Sequence, residues 1–282
     1  MKIITAVVNN PIFIEIQYYT LKKYFQGEYQ FIVFNDAKDF PDYTNGNDIT
    51  IKTEIQDVCA KFDILCINIP NKHHKQNNGA SSRCADSMNY ILEYQKNNQD
   101  KYLLLDSDMF LIDYFDINKY SNYHSAIVLQ SRNQYKINYF WNGIYYFDLT
   151  KMKNLELLNW NCCTNCDVGG MMQKWLAKQM VNTPMPNTDE IRWLDKEFHT
   201  NNIYFIKHLW SCSWDINEIP KNLETNTKLI EFLKNDIRNE NNKFFCEIYD
   251  NVFLHYRAGG NWRGEGLETH ELLSQKLKNT LL

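Results

Sequence analysis

Three consecutive leucines that end at a pair of aspartates constrain this chain more than any other feature. Residues 101–112 read Lys-Tyr-Leu-Leu-Leu-Asp-Ser-Asp-Met-Phe-Leu-Ile. Tyr102 to Leu105 has the length and composition of a strand covered on both faces, as the strands of parallel sheets are. Asp106 and Asp108 sit where that strand ends. Alternate residues of an extended chain point the same way, so the two carboxylates converge on one ion if the chain stays extended there. Paired hard oxygen donors suit Mg²⁺ or Mn²⁺, which keep open positions for water and for the oxygens of a diphosphate. The carboxyl ends of strands are also where open α/β sheets bind ligands. The plainer reading, two acids on a solvated turn, fits many Asp-x-Asp triplets; the buried strand leading into this one favours a site.

The segments around it repeat a β-α-β-α-β rhythm. Lys2 to Val8 reads as a first strand, broken at Asn9-Asn10-Pro11, and Ile12 to Phe25 carries apolar residues at helical spacing (Phe13, Ile16, Leu21, Tyr24). Tyr29 to Phe34 is a second strand, Thr53 to Phe62 a helix, and Ile64 to Ile69 a third strand closed by Pro70. Ser81 or Ser82 caps a helix running to about Lys96, with Arg83 and Asp86 on one face of its first turn. This rhythm predicts an α/β fold, a mostly parallel central sheet flanked by helices, with right-handed crossovers. Beyond it, Ser125 to Gln130 reads as a strand, and Tyr139 to Leu149 as an aromatic strand interrupted by Asn142-Gly143. Helices are expected over Met152 to Trp160, Gly169 to Met180, Asp189 to His199 (capped by Thr188) and Thr225 to Arg238. Strands are expected over Ile203 to Lys207 and Phe244 to Tyr249. No repeat or linker divides the chain, so one domain of 282 residues is expected.

Composition narrows the partners. With 30 basic and 34 acidic residues the net charge is -4, which argues against a nucleic-acid or anionic-membrane surface. Any anionic ligand must be met locally, by residues such as Arg83 near a helix start. No apolar run approaches membrane-spanning length and the first residues read as a strand, so a cytoplasmic protein without a membrane span is expected. The eight cysteines form no small-scaffold framework and read as free thiols; Cys162, Cys163 and Cys166, with Cys212 as a distant fourth, are a poor zinc set. The polar loop Asn71 to Gly79, carrying His73, His74 and Lys75, reads as solvated or as a lid over an anion.

The last informative segment runs Val252-Phe-Leu-His255-Tyr-Arg257-Ala-Gly259-Gly260-Asn-Trp262-Arg263-Gly264. An apolar strand end delivers a histidine into a glycine-rich loop with two arginines and a tryptophan. A lone histidine after a strand is more often structural than a ligand, but with Asp106 and Asp108 already offering an incomplete metal shell the combination is more specific than either part.

Taken together, these motifs resemble glycosyltransferases of the GT-A fold, and the C-terminal part resembles the family 8 type that includes glycogenin and bacterial galactosyltransferases. The resemblance implies a Rossmann-like first half (1–112) that binds the nucleotide-sugar. It also implies a mixed α+β acceptor-side half (113–282) with a C-terminal metal-ligand loop. It further implies that Asp106, Asp108 and His255 hold Mn²⁺ (or Mg²⁺), with Ser107 beside the donor, and that Val8, Asn9 and Asn10 form the nucleobase loop. Arg83 then contacts the donor, Asn142 and Gly143 match the family's Asn-x-Gly strand without its middle residue, and Asp189 and Glu190 match an acidic helix start at the donor sugar. Gly259, Gly260, Trp262 and Arg263 correspond to a loop whose lysine is missing here; Arg257 or Arg263 takes over its charge.

The function implied is transfer of a sugar from a nucleotide-diphosphate sugar, a UDP-sugar being favoured, to the hydroxyl of a glycan, glycoprotein or other acceptor. Retention of anomeric configuration is favoured; inversion calls for a carboxylate base, for which Asp167, Asp189 and Glu190 are candidates. Two alternatives stand beside this. One is a phosphohydrolase of the haloacid dehalogenase type, although Phe110 stands where that pattern has Thr or Val. The other is a catalytically silent sugar- or nucleotide-binding protein.

Overall fold

The structure, a computed structural model, describes residues 1–38, 50–70, 79–132, 136–188, 197–259 and 267–282. It opens with β1 (Lys2–Val7), α1 (Pro11–Tyr24), β2 (Phe25–Gln26) and β3 (Gln30–Asn35), followed by α2 (Ile51–Lys61), β4 (Leu65–Asn68) and α3 (Ala80–Asn97). The aspartate segment is β5 (Lys101–Leu105) and β6 (Met109–Leu111), joined by a turn. Then come β7 (Phe115–Asp116), α4 (Asn118–Ser121), β8 (Ser125–Arg132), β9 (Ile137–Asp148) and α5 (Gln173–Gln179). The rest is β10 (Phe198–His199), β11 (Ile203–Phe205), β12 (His208–Leu209), α6 (Thr227–Lys234), β13 (Glu247–Tyr249), β14 (Phe253–His255) and α7 (Leu267–Leu281).

Among the described residues the main sheet has eight strands in the order β10-β11-β8-β9-β5-β1-β3-β4. Its first-half strands, β4, β3, β1 and β5, are all parallel. β9 runs antiparallel to both β5 and β8, and β10 is an antiparallel edge on β11. This is the mixed α/β, mostly parallel, helix-flanked sheet that the sequence rhythm predicts. A second, antiparallel sheet, β12-β13-β14-β6, stands beside it. The aspartate turn is the hinge between the two sheets, because β5 belongs to the first and β6 to the second.

Strand alternation sends Ile4, Ile32, Tyr102 and Leu104 into one core layer, and Ile3, Val33, Leu103 and Leu105 into another. A third cluster packs α1, α6 and α7 against the small sheet through Phe13, Phe110, Leu254 and Tyr256. None of the helices among the described residues is long and apolar enough to cross a membrane.

Several expectations need correcting. The helix expected over Met152 to Trp160 is a single 3-10 turn, Leu155–Leu157. Asn154 takes the left-handed conformation (φ 60), and Trp160 is drawn under β9 against Phe140 and Tyr145, so tertiary packing overrides the local pattern. The helix expected from Gly169 begins as a 3-10 turn, Gly170–Met172, before α5; Gly169 itself has φ 90, and a Cβ there would stand 2.4 Å from the Phe140 carbonyl oxygen. Phe198 and His199, expected to end a helix, pair as a strand with β11. α3 starts at Ala80 after Gly79, two or three residues earlier than a serine cap at Ser81 or Ser82 requires, and no side chain caps it. The strand expected to be interrupted at Asn142-Gly143 is continuous; the irregularity is instead a register shift against β8, between Ile127 and Leu129, which frees residues 141–144 from that neighbour.

Candidate active site

The aspartates converge by a different route from the one expected. The chain does not stay extended after Leu105: Met109 N–H donates to the Asp106 carbonyl (3.0 Å), closing a tight turn. Asp106 N–H donates to the Gly143 carbonyl (2.7 Å), which ties the turn to β9. From the other side Gln17, wholly buried on α1, donates through Nε2 to the carbonyls of Asp106 (2.7 Å) and Met109 (3.1 Å). The turn is therefore fixed by two strands and a helix before any ligand arrives.

Backbone donors then hold one oxygen of each carboxylate. Ser107 N–H reaches Asp106 Oδ1 (2.7 Å) and Gly259 N–H reaches Asp108 Oδ2 (2.8 Å). The other oxygen of Asp108, Oδ1, faces His255 Nε2 at 3.0 Å. β14 pairs antiparallel with β6, placing His255 opposite Met109, which is why residues far apart in sequence meet here. Ligand atoms of Asp106, Asp108 and His255 lie within 4.8 Å of one another, the one such cluster of three found among the described residues. Two carboxylates and an imidazole suit a divalent ion such as Mn²⁺. His255 Nδ1 is engaged by Glu247 Oε2 at 2.7 Å, so its Nε2 is the nitrogen turned to the aspartates, as in a metal-binding histidine. The residues present fit a metal.

Charge is concentrated here. Burial pushes the Asp106 carboxyl up to about 7, Asp108 adding to the shift and His255 opposing it. Burial acts to raise Asp108 too, but the neighbouring His255 outweighs it and holds that carboxyl below its usual range. Burial acts to lower His255, yet Asp108 and Glu247 on either side raise it to about 10. Without metal His255 therefore carries a proton at neutral pH, and ligation needs it gone. Mn²⁺ affinity is expected to rise with pH between about 7 and about 10, roughly tenfold per unit while one proton is displaced. Calorimetry at pH 8 in buffers of different ionisation heat should show about one proton released per ion; a pH-independent affinity would contradict this.

The cluster opens into a cavity of about 720 Å³ at the carboxyl ends of β1, β3 and β5. Ala6 and Val8 line it from β1 and the turn after it, Asp36 and Lys38 from the end of β3, and Ser81, Arg83 and Cys84 from the first turn of α3. The second half contributes Arg132, Trp141, Asn142, Asp167, Trp210 and Arg257. Trp141 stacks on Tyr249 (5.2 Å between centroids, 18°) and adjoins His255 (5.1 Å). The bare face of Gly143 makes room for it, since a Cβ there would stand 2.0 Å from the indole.

No protein-family model and no curated protein sequence matches the chain. Among solved structures, it is similar to an active-site mutant of LgtC, with TM-score 0.39 and 13% identity over 66% of this chain and 66% of that one. A structure of the galactosyltransferase LgtC in complex with donor and acceptor sugar analogues gives TM-score 0.37 and 13% identity over 67% and 68%. The chain thus spans about two thirds of the length of each.

The expected site residues are not all brought to the cavity. Asp106, Ser107, Asp108, His255, Arg83, Asn142, Gly259 and Val8 line it. Asn9 and Asn10 are not among the lining residues; they are 5% and 2% exposed, and Asn10 Nδ2 reaches Ser274 on α7 at 3.4 Å. Gly143 serves through its carbonyl, not by contact with the cavity. Asp189, Glu190, Gly260, Trp262 and Arg263 lie outside the described residues, as do His73, His74 and Lys75. The eight cysteines are free thiols.

Gln17 and Glu247 escaped sequence reasoning. A signal existed for the first: Phe13, Gln17 and Leu21 fall at i, i+4 and i+8, so Gln17 sits on the buried stripe of α1. Glu247 likewise interrupts an apolar strand, and a buried carboxylate needs partners.

Proposed function

We propose that this chain is a metal-dependent glycosyltransferase that moves a sugar from a nucleoside-diphosphate sugar, a UDP-sugar being favoured, to an acceptor hydroxyl. The observation that carries the reading is the convergence of Asp106, Asp108 and His255 at the strand ends of an α/β sheet, facing a cavity with Arg83 and Arg257 in its walls. In this transfer the bond between the anomeric carbon and the diphosphate oxygen breaks, a carbon–oxygen bond to the acceptor forms, and the acceptor's proton leaves. Negative charge grows on the departing diphosphate. Asp106, Asp108 and His255 would hold a divalent ion, which would supply Lewis-acid stabilisation of that charge.

The chain's own residues supply the rest. Arg83 and Arg257 add positive charge to the diphosphate region, stabilisation that is worth most where charge develops. The first turn of α3, where Ala80 and Ser81 meet the cavity, brings a helix N-terminus to the same side. Trp141 and Trp210 offer flat faces for a sugar or base. Asp167, in the cavity wall, orients sugar hydroxyls; of the three candidate bases it is the one among the described residues, and Asp189 and Glu190 keep their sequence-based candidacy. Retention follows the resemblance and is the favoured outcome.

The test is turnover. Nucleotide-sugars incubated with the protein and Mn²⁺ should slowly release nucleoside diphosphate, and chelator should stop it. Hydrolysis of simple sugar phosphates in place of nucleotide-sugars would favour a phosphohydrolase instead.

A further inference from the structure

The carboxylate of Glu247 has more to do than any other on the small sheet. It is 4% exposed and comes from β13, the strand paired with β14, which places it opposite His255. Its two oxygens face two different parts of the site. Oε2 takes His255 Nδ1 (2.7 Å) and the Tyr249 hydroxyl (2.8 Å). Oε1 takes the backbone N–H of Ser211 (3.1 Å) and lies 3.8 Å from Arg257 Nε. Arg257 is tied to the same corner by a hydrogen bond from its guanidinium to Ser211 Oγ (2.8 Å). The arginine lies in a costly backbone conformation, with Arg257 and Ala258 both left-handed (φ 66 and 58). That turn also aims Gly259 N–H at Asp108.

We propose that Glu247 is the positioning residue of the site, a single buried carboxylate that orients the metal-facing histidine with one oxygen and the diphosphate-facing arginine with the other. This inference rests on the functional reading above. A buried carboxylate with no such task would be a liability, because removing it from water is costly unless its oxygens are satisfied. Here three hydrogen-bond donors and, at 3.8 Å, the charge of Arg257 satisfy it, and His255 and Arg257 both line the cavity. Through Nδ1 it fixes which nitrogen of His255 faces the aspartates and makes that nitrogen a better donor. Through Oε1 it lies against Arg257 Nε, while Ser211 Oγ holds the guanidinium's Nη1 and 44% of the arginine side chain stays exposed. Metal and diphosphate binding are thereby linked through one residue whose two oxygens are directed at His255 and Arg257.

The experiment compares the wild type, Glu247→Gln, Arg257→Met and the double variant. Two readouts are used: Mn²⁺ binding followed by electron paramagnetic resonance without nucleotide, and UDP binding at saturating Mn²⁺ followed by calorimetry. Thermal melting in chelator confirms that each variant is folded. Glu247→Gln keeps the volume and the hydrogen-bond acceptor but removes the charge, and should weaken Mn²⁺ about tenfold, at the low end for residues that support a metal ligand. Arg257→Met should leave Mn²⁺ binding alone and weaken UDP. For UDP the double variant should fall short of the product of the two single losses, because the arginine's contribution depends on Glu247. Unchanged Mn²⁺ affinity in folded Glu247→Gln, or independent UDP losses, would overturn the inference while leaving the transferase reading intact. Absence of Mn²⁺ binding by the wild type would overturn both. Should Glu247→Gln fail to fold, Ser211→Ala takes its place: it removes the hydroxyl that accepts from Arg257 and lies 3.5 Å from Cys212 Sγ, keeps the backbone bond to Glu247, and must weaken UDP without affecting Mn²⁺, an equal loss of both overturning the division of labour.

Discussion

Asp108→Asn is expected to lower nucleotide-sugar turnover at least ~10²-fold while the protein remains folded, a loss on the scale of one strong electrostatic contact. Asparagine matches aspartate in volume, and its amide oxygen still accepts from Gly259 N–H, so the turn keeps its closing bond. Glu247 still faces His255 from the other side, so the imidazole is not left buried without a partner. What disappears is one of the two carboxylate charges in the metal set. Release of nucleoside diphosphate at saturating Mn²⁺ measures the loss, and the melting temperature in chelator checks the fold. Near-normal turnover with Mn²⁺ still required would move the metal elsewhere.

Gly259→Ala is expected to remove metal binding by a steric route. A Cβ at this position would stand 2.4 Å from Phe13 Cε2, 2.8 Å from Asp108 Cβ and 2.9 Å from Asp108 Oδ2. Phe13 cannot retreat easily, because its ring packs edge-on against Phe110 (5.3 Å) and Tyr256 (5.5 Å) in the third core cluster. Asp108 must therefore shift, and with it the oxygen that faces His255. Overpacking of this kind costs about 1–3 kcal/mol. The melting temperature should fall by about 2–4 °C for each kcal/mol, and Mn²⁺ binding should be lost even where the protein is folded. Wild-type Mn²⁺ affinity in Gly259→Ala would show that the loop after His255 does not shape the site.

The parts of this molecule that could be read from its sequence are those where local pattern and tertiary structure agree. The Lys2–Val7, Gln30–Asn35 and Lys101–Leu105 strands are apolar runs bounded by breakers, and burial on both faces leaves such runs few alternatives. Asp106, Asp108 and His255 were legible because charged and imidazole groups at the ends of apolar strands are conspicuous. The segment 152–160 was not, since its apolar spacing mimics a helix while its large residues are claimed by the underside of β9. Gln17 was hidden for another reason: its role comes from hydrogen bonds across long sequence separations, 89 residues to Asp106, which no local window contains; Glu247 meets His255 only eight residues on, but through strand pairing that an isolated carboxylate in an apolar run does not announce. The turn after the first strand is divided: Val8 lines the cavity, while the middle of α7 comes close enough for Ser274 to engage Asn10.

Thermal-shift measurement with UDP and other nucleoside diphosphates, each with Mn²⁺ and with chelator, tests the central claim most directly. A ligand that binds only the native state adds RT ln(1 + [L]/Kd), about 2.7 kcal/mol at a hundredfold excess over Kd. The account predicts a rise of several degrees with one nucleotide class that vanishes in chelator and in Asp108→Asn. A folded wild-type protein that shows no Mn²⁺-dependent shift with any nucleoside diphosphate would contradict it.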